Sequence, residues 1–265
     1  MEEIEFNRSA INPGDCIGTA WTLVTSNLGM YIGSTVVAAV IYFAASFIPF
    51  VNVLIMVPLM GGLYYQAIHN VDGEPVDFAM MFKGFEKLGP LLLLTFIENL
   101  PTIVILVLVY TGQFATSFFG LPMPDLQQGG TSGAPLDPRI FAGVSAALVA
   151  LWIVFFIFSI VWSLIFFFAI QLVMDKNIGV IEAISTSARA SFSNAGGAIV
   201  LMILSGLVIL LGAIAICIGL FVAFPVVWVA TAAAYRMVFP RLSQTYLTTP
   251  PPPTAYGNSF GQGMQ

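Results

Sequence analysis

One carboxylate is set in surroundings where it could do chemistry. Glu98 lies inside the run LLLLTFIENLPTIVILVLV, residues 91–109. It falls nine residues past Gly89, about 13 Å along a helix rising 1.5 Å per residue. That depth is close to the middle of a bilayer whose hydrocarbon core is about 30 Å thick. Asn99 follows it, and Pro101 removes the donor that would satisfy the Ile97 carbonyl. An ionisable group at such a depth is costly, and it faces protein or water rather than lipid. Two roles are open: a site for an ion, proton or headgroup, or a protonated acid fixing helix packing through a neighbouring hydroxyl.

The other candidates are cationic. Lys83, Lys87, Arg189, Arg236 and Arg241 could ring one face and meet anionic headgroups. Positive-inside topology alone accounts for the same residues. Pro58 and Pro225 fall within apolar runs and are expected to kink them, as is Pro101. His69 is the only histidine and has no Cys, Asp or Glu at ligand spacing, so no metal site is expected. Cys16 and Cys217 form no CxxC pattern and read as ordinary buried small residues. No HExxH, GxSxG, Walker loop or GxGxxG is present, so no catalytic residue, enzyme activity or cofactor is expected.

Composition indicates the elements that must hold these groups. Hydrophobic residues make up 58% of the 265 and charged residues only 8%. A soluble surface of that size needs about a quarter charged, so the chain reads as an all-α integral membrane protein. The net charge of −5 lacks the basic stripe that nucleic acid would demand. The acidic start MEEIEFNRSAINPGD has no basic n-region, and no cleaved signal peptide is expected.

Residues 1–11 form a cytoplasmic segment and 12–247 the membrane domain. Asn12-Pro13-Gly14-Asp15 is a helix start, with Asn12 as N-cap and Pro13 at N1. The helix over 12–27 carries Ile17, Trp21, Val24 and Leu28 on one stripe and suits the membrane interface. Six spans are expected, at about 28–50, 51–68, 90–110, 140–174, 195–214 and 218–239. A second interfacial helix begins near Asp77 with Phe78, Met81, Phe82, Phe85 and Leu88 on one face. The fourth apolar run is too long for a simple span, so it must tilt and protrude or pack its small-residue start against protein. Residues 113–139 form a Gly/Pro-rich external loop, and 248–265 a disordered Pro-rich cytoplasmic tail. Seven of the eight basic residues fall on one side of this plan, all but Arg139. That bias puts both termini in the cytoplasm, at a bacterial inner membrane.

The chain also matches itself. Residues 12–68 overlie 179–235 without a gap, bringing Asp15 onto Glu182, Ser26-Asn27-Leu28-Gly29 onto Ser193-Asn194-Ala195-Gly196, and Pro58 onto Pro225. Both copies start on one side, so the expected repeat is parallel.

The segments GTAWTLVTSNLGMYIG, PLMGGLYYQAI, DFAMMFKGFEKLG, IEAISTSARASFSNAGGAIV and GLFVAFPVVWVATAAAYRMV carry a resemblance. In that order, over residues 12–240, they resemble a family of uncharacterised bacterial multi-pass membrane proteins. That family is related to the membrane domain of some glycerophosphodiester phosphodiesterases. The resemblance rests on small, aromatic and proline positions, and the soluble phosphodiesterase domain is missing here. It implies a membrane protein with no catalytic residue to carry over.

Three functions follow as expectations. The first is a non-enzymatic membrane protein acting through lipids, a membrane protein partner or a second copy of itself. The second is a small-molecule or ion carrier using Glu98 between the repeats. The third is an accessory subunit of a lipid-modifying enzyme.

Overall fold

The computed structural model describes residues 4–48, 51–119, 138–215 and 219–241. The Pro-rich tail, most of the expected external loop, Cys217 and the turn at Pro49 lie outside the described residues. Among the described residues the secondary structure is helical, with no strand.

The first three helices are α1 (Pro13–Ser26), α2 (Leu28–Ala45) and α3 (Val51–Val71). A 3-10 helix (Phe78–Lys87) leads into α4 (Leu88–Glu98) and α5 (Leu100–Phe119). Then come α6 (Pro138–Phe166), α7 (Ala169–Lys176), α8 (Val180–Ser193), α9 (Ala195–Ile214) and α10 (Leu220–Val238).

The centre of the bundle is α10. Its residues from Val229 to Tyr235 are all buried, and its Ala-rich sequence lets α1, α2, α3 and α9 pack closely around it. Four helical stretches are long and apolar enough to cross a membrane: Leu28–Ala45, Trp152–Lys176, Ala195–Ile214 and Leu220–Val238. Phe78–Glu98 with Leu100–Val107, bent by 56°, would make a fifth. The structure thus carries four or five such stretches among the described residues, where the sequence suggested six. α3 is not one of them; its 21 residues include Asn52, Pro58, Gln66, His69 and Asn70.

Local detail that the sequence reading lacked or read otherwise has physical causes. α1 begins at Pro13 as expected, but Asn12 donates to the Asp15 carboxylate at 2.6 Å and leaves the backbone donors uncapped. The face it buries is Cys16, Ala20 and Val24, while Trp21 of the larger apolar stripe is 56% exposed. Small residues bring α1 against α10, where the Cys16 thiol meets the Met237 sulfur at 3.7 Å. Burial, with Asp15 beside it, pushes that thiol up to about 12.

The segment after Asp77 is a 3-10 helix, so burial repeats every three residues and not along an α-helical stripe. Met81 and Gly84 face inward, and Phe78, Phe82 and Phe85 face out. Backbone lies directly on backbone here. A Cβ on Gly84 would overlap the Pro58 carbonyl, and one on Gly62 would overlap the carbonyl of Met81. α3 runs through Pro58, and α10 likewise runs through Pro225.

The expected span at 90–110 is broken between α4 and α5. The long run 140–174 is also interrupted, at Phe167 and Phe168, which divides its length between α6 and α7. The Ser187 hydroxyl accepts the Phe168 N–H at 3.0 Å, satisfying a donor that the break exposes.

The α1–α2 and α8–α9 junctions are alike. Asn27 (φ −122°, ψ 36°) and Asn194 (φ −121°, ψ 19°) each sit between a 14-residue helix and a longer apolar one. Asn194 has partners that Asn27 lacks: its Oδ1 accepts the Ala10 N–H at 2.7 Å, and its Nδ2 donates to the Asn7 carbonyl at 3.0 Å.

Candidate functional site

The helix break at residues 98–100 holds Glu98 and Asn99, the polar candidates within the apolar run. Pro101 offers no N–H to the Ile97 carbonyl, and the Asn99 side chain turns back to the Thr95 carbonyl at 2.8 Å. The Asn99 N–H goes to the same carbonyl at 3.0 Å. The Trp162 indole of α6 donates to the Glu98 backbone carbonyl at 2.8 Å, which ties the break to a neighbouring helix. The Glu98 side chain is half-buried, and its carboxylate makes no hydrogen bond or ion pair among the described residues. Tyr64 of α3 is close enough to feel its charge. The hydroxyl partner that a purely packing role would require is absent among the described residues.

The cationic residues are arranged quite differently from a headgroup ring. Arg236 is turned inward, only 8% exposed, between Asp72 beyond α3 and Asp175 on α7. Its guanidinium reaches Asp72 through Nε and Nη2, both at 2.8 Å, and Asp175 through Nη1 at 2.8 Å and Nη2 at 2.7 Å. The Tyr235 hydroxyl donates to Asp175 at 2.8 Å. Arg241 bonds the Glu74 carboxylate and reaches Asp72 at 3.1 Å. His69 stacks on Tyr65, and its Nε2 lies 3.4 Å from Glu74.

Lys87 places its ammonium on the Val173 and Met174 carbonyls at 2.8 and 3.0 Å, closing the C-terminal end of α7. Asn177 follows in the left-handed conformation that asparagine tolerates. Arg189 makes an interaction of its own. Lys83 is about half exposed and pairs with Glu86 at 2.8 Å. Of the five expected headgroup contacts, Arg236 is committed to the fold because a buried charge requires a partner, and Lys87 is held by the two α7 carbonyls.

Asp72, Glu74, Asp175 and Tyr235 are the members of this network that sequence reasoning missed. Asp72 lies in VDGEP and Asp175 in DKN, both of which look like turns. The available signal was Arg236 itself, since a guanidinium near the end of an apolar helix needs a counter-charge. A second buried polar group lies between α2 and α3. Gln66 donates to the Asp77 carbonyl at 3.2 Å and approaches the Ser34 hydroxyl at 3.5 Å.

Glu74 gives a pH prediction. The hydrogen bond from Arg241 holds its carboxyl below the ordinary value of 4.5. A lowered folded-state value makes its contribution present above the ordinary value, with loss as the pH falls through the lowered one. Thermal unfolding in detergent should therefore show wild type and Glu74→Gln diverging above that range and converging in acid. A constant gap at all pH would rule out this linkage.

Fold and site together define an all-helical protein with several apolar helices of membrane-spanning length and a buried ionic junction at one end of the bundle. No family model, curated protein or solved structure matches the chain.

Proposed function

We propose that this is a six-span protein of a bacterial inner membrane, with both termini cytoplasmic. It acts without catalysis, by engaging anionic lipid or a membrane partner at its cytoplasmic face. The observation that carries this is the 3-10 helix, which turns Phe78, Phe82 and Phe85 outward beside Lys83. Aromatic side chains next to a cation suit the boundary between headgroups and acyl chains. The Lys83–Glu86 pair is exposed and therefore weak, so a phosphate can displace it. The like junctions at Asn27 and Asn194, with the matching helix lengths around them, support a parallel duplication of residues 12–68 and 179–235. The resemblance to membrane domains related to glycerophosphodiester phosphodiesterases points toward lipid as well.

The test is lipid-dependent stability of the purified chain in mixed micelles. Phosphatidylglycerol should raise the unfolding temperature more than phosphatidylcholine does, and Phe82→Ser/Lys83→Gln/Phe85→Ser should remove that difference. An undiminished preference in the triple variant would refute headgroup recognition by this helix.

A second reading has its own observation. The 56° break beside an unpartnered Glu98 resembles the discontinuous helices at which carriers hold charged solutes. On this reading Glu98→Gln reduces solute flux into proteoliposomes at least tenfold, and an unchanged flux removes Glu98 from any transport role.

A further inference from the structure

The break between α4 and α5 leaves a surplus of negative ends. α4 terminates there, and the last carbonyls of a helix carry roughly half a negative charge. The Ile97 carbonyl has no donor four residues on, because residue 101 is proline; it meets the Asn99 N–H, shared with the Thr95 carbonyl, and keeps a second lone pair. The Asn99 amide nitrogen is committed to the Thr95 carbonyl, which leaves its Oδ1 available. The one donor arriving from another helix, the Trp162 indole, is taken up by the Glu98 backbone carbonyl. The Glu98 carboxylate itself has neither a hydrogen-bond donor nor a basic partner among the described residues. Tyr64 of α3 is the titratable group whose interaction with it is evident, and a phenol adds no positive charge. Elsewhere in the chain the acids of the bundle end are met by arginine: Asp72 and Asp175 by Arg236, and Glu74 by Arg241.

We infer that Glu98, with the Ile97 carbonyl and the Asn99 amide oxygen, forms an exchange site for one small alkali cation and a proton at the α4–α5 break. The chemistry selects the class. The donors are all oxygen, which suits a hard cation. A single carboxylate supplies one negative charge, which a monovalent ion neutralises in a low-dielectric setting, whereas divalent sites gather several carboxylates. A proton on Glu98 achieves the same neutrality, so the two must compete. This deepens the carrier reading by naming what would be carried, but binding and transport can fail separately.

Trp162 provides the readout, because its indole is bonded to the residue that binds. Its emission is obtained from the full chain in detergent as the difference between wild type and Trp162→Phe. The pH is varied first in choline chloride and then with Na+ replacing choline at constant ionic strength. One titration step is expected, absent in Glu98→Gln and retained with a moved midpoint in Glu98→Asp. Competition should lower that midpoint by about one pH unit for each tenfold rise in Na+ above its dissociation constant. A step whose midpoint ignores Na+, Li+ and K+ would overturn the inference and leave an ordinary titrating carboxyl. A step that persists in Glu98→Gln, or no step at all, would overturn it too. Na+-dependent binding with no flux in proteoliposomes would retain the site and reject the carrier reading.

Discussion

Replacing Arg236 with methionine should lower the stability of the folded bundle by about 3–5 kcal/mol, the usual cost of leaving buried charge without its partner. The guanidinium makes four short bonds to two carboxylates that belong to different segments, Asp72 beyond α3 and Asp175 on α7. Without it, Asp72 keeps Arg241 at 3.1 Å, while Asp175 keeps the Tyr235 hydroxyl and Lys176 at 3.8 Å. Arg236→Lys should recover little, because an ammonium cannot present the planar fork that two bidentate carboxylates use. Arg236→Met combined with Asp175→Asn should recover part of the loss, since the second change removes the orphaned charge. Denaturant titration in mixed micelles measures all three. A loss below about 1 kcal/mol for Arg236→Met would mean that water reaches the junction and screens it.

That junction shows where sequence reading stops. Arg236 and Arg241 were visible as chemistry-bearing residues, but Asp72 and Asp175 lie 164 and 61 positions from Arg236 and carry only turn signals locally. What the chain states locally it states well. The start of α1 at Pro13, the junctions at Asn27 and Asn194, and the helical character throughout were all legible. The buried face of α1 was not, for a physical reason. The larger apolar stripe is the one a sequence reader turns inward, whereas here the small residues face inward, because they let two helix backbones approach closely. Cys16, Ala20 and Val24 accordingly meet α10, and Trp21 remains outside. A kink was expected at Pro101, but nothing local announced what anchors the 56° bend found beside it, a tryptophan 64 positions away from Glu98.

Among the described glycines, Gly84→Ala should be the most damaging single-methyl addition, with Gly62→Ala close to it. Overpacking a core ordinarily costs about 1–3 kcal/mol, because the added group pushes flexible side chains aside. At these two positions the obstacle is backbone. The Gly84 Cβ would fall on the Pro58 carbonyl, and the Gly62 Cβ on the carbonyl of Met81, so neither can rotate out of the way. The loss should therefore reach the upper end of that range or pass it, as the 3-10 helix must lift from α3. A lifted helix would draw Lys87 off the Val173 and Met174 carbonyls and expose Met81, which is fully buried. It would also move Phe78, Phe82 and Phe85 away from their positions beside Lys83, so the phosphatidylglycerol preference should weaken with stability. Gly18→Ala is the control, since nothing lies within 4 Å of its Cβ position and α1 is already helical there. There the added methyl should be neutral or stabilising by up to about 1 kcal/mol. Unfolding temperatures of the three variants in one detergent decide the matter, and a Gly84→Ala protein as stable as Gly18→Ala would disprove the close contact between Gly84 and Pro58.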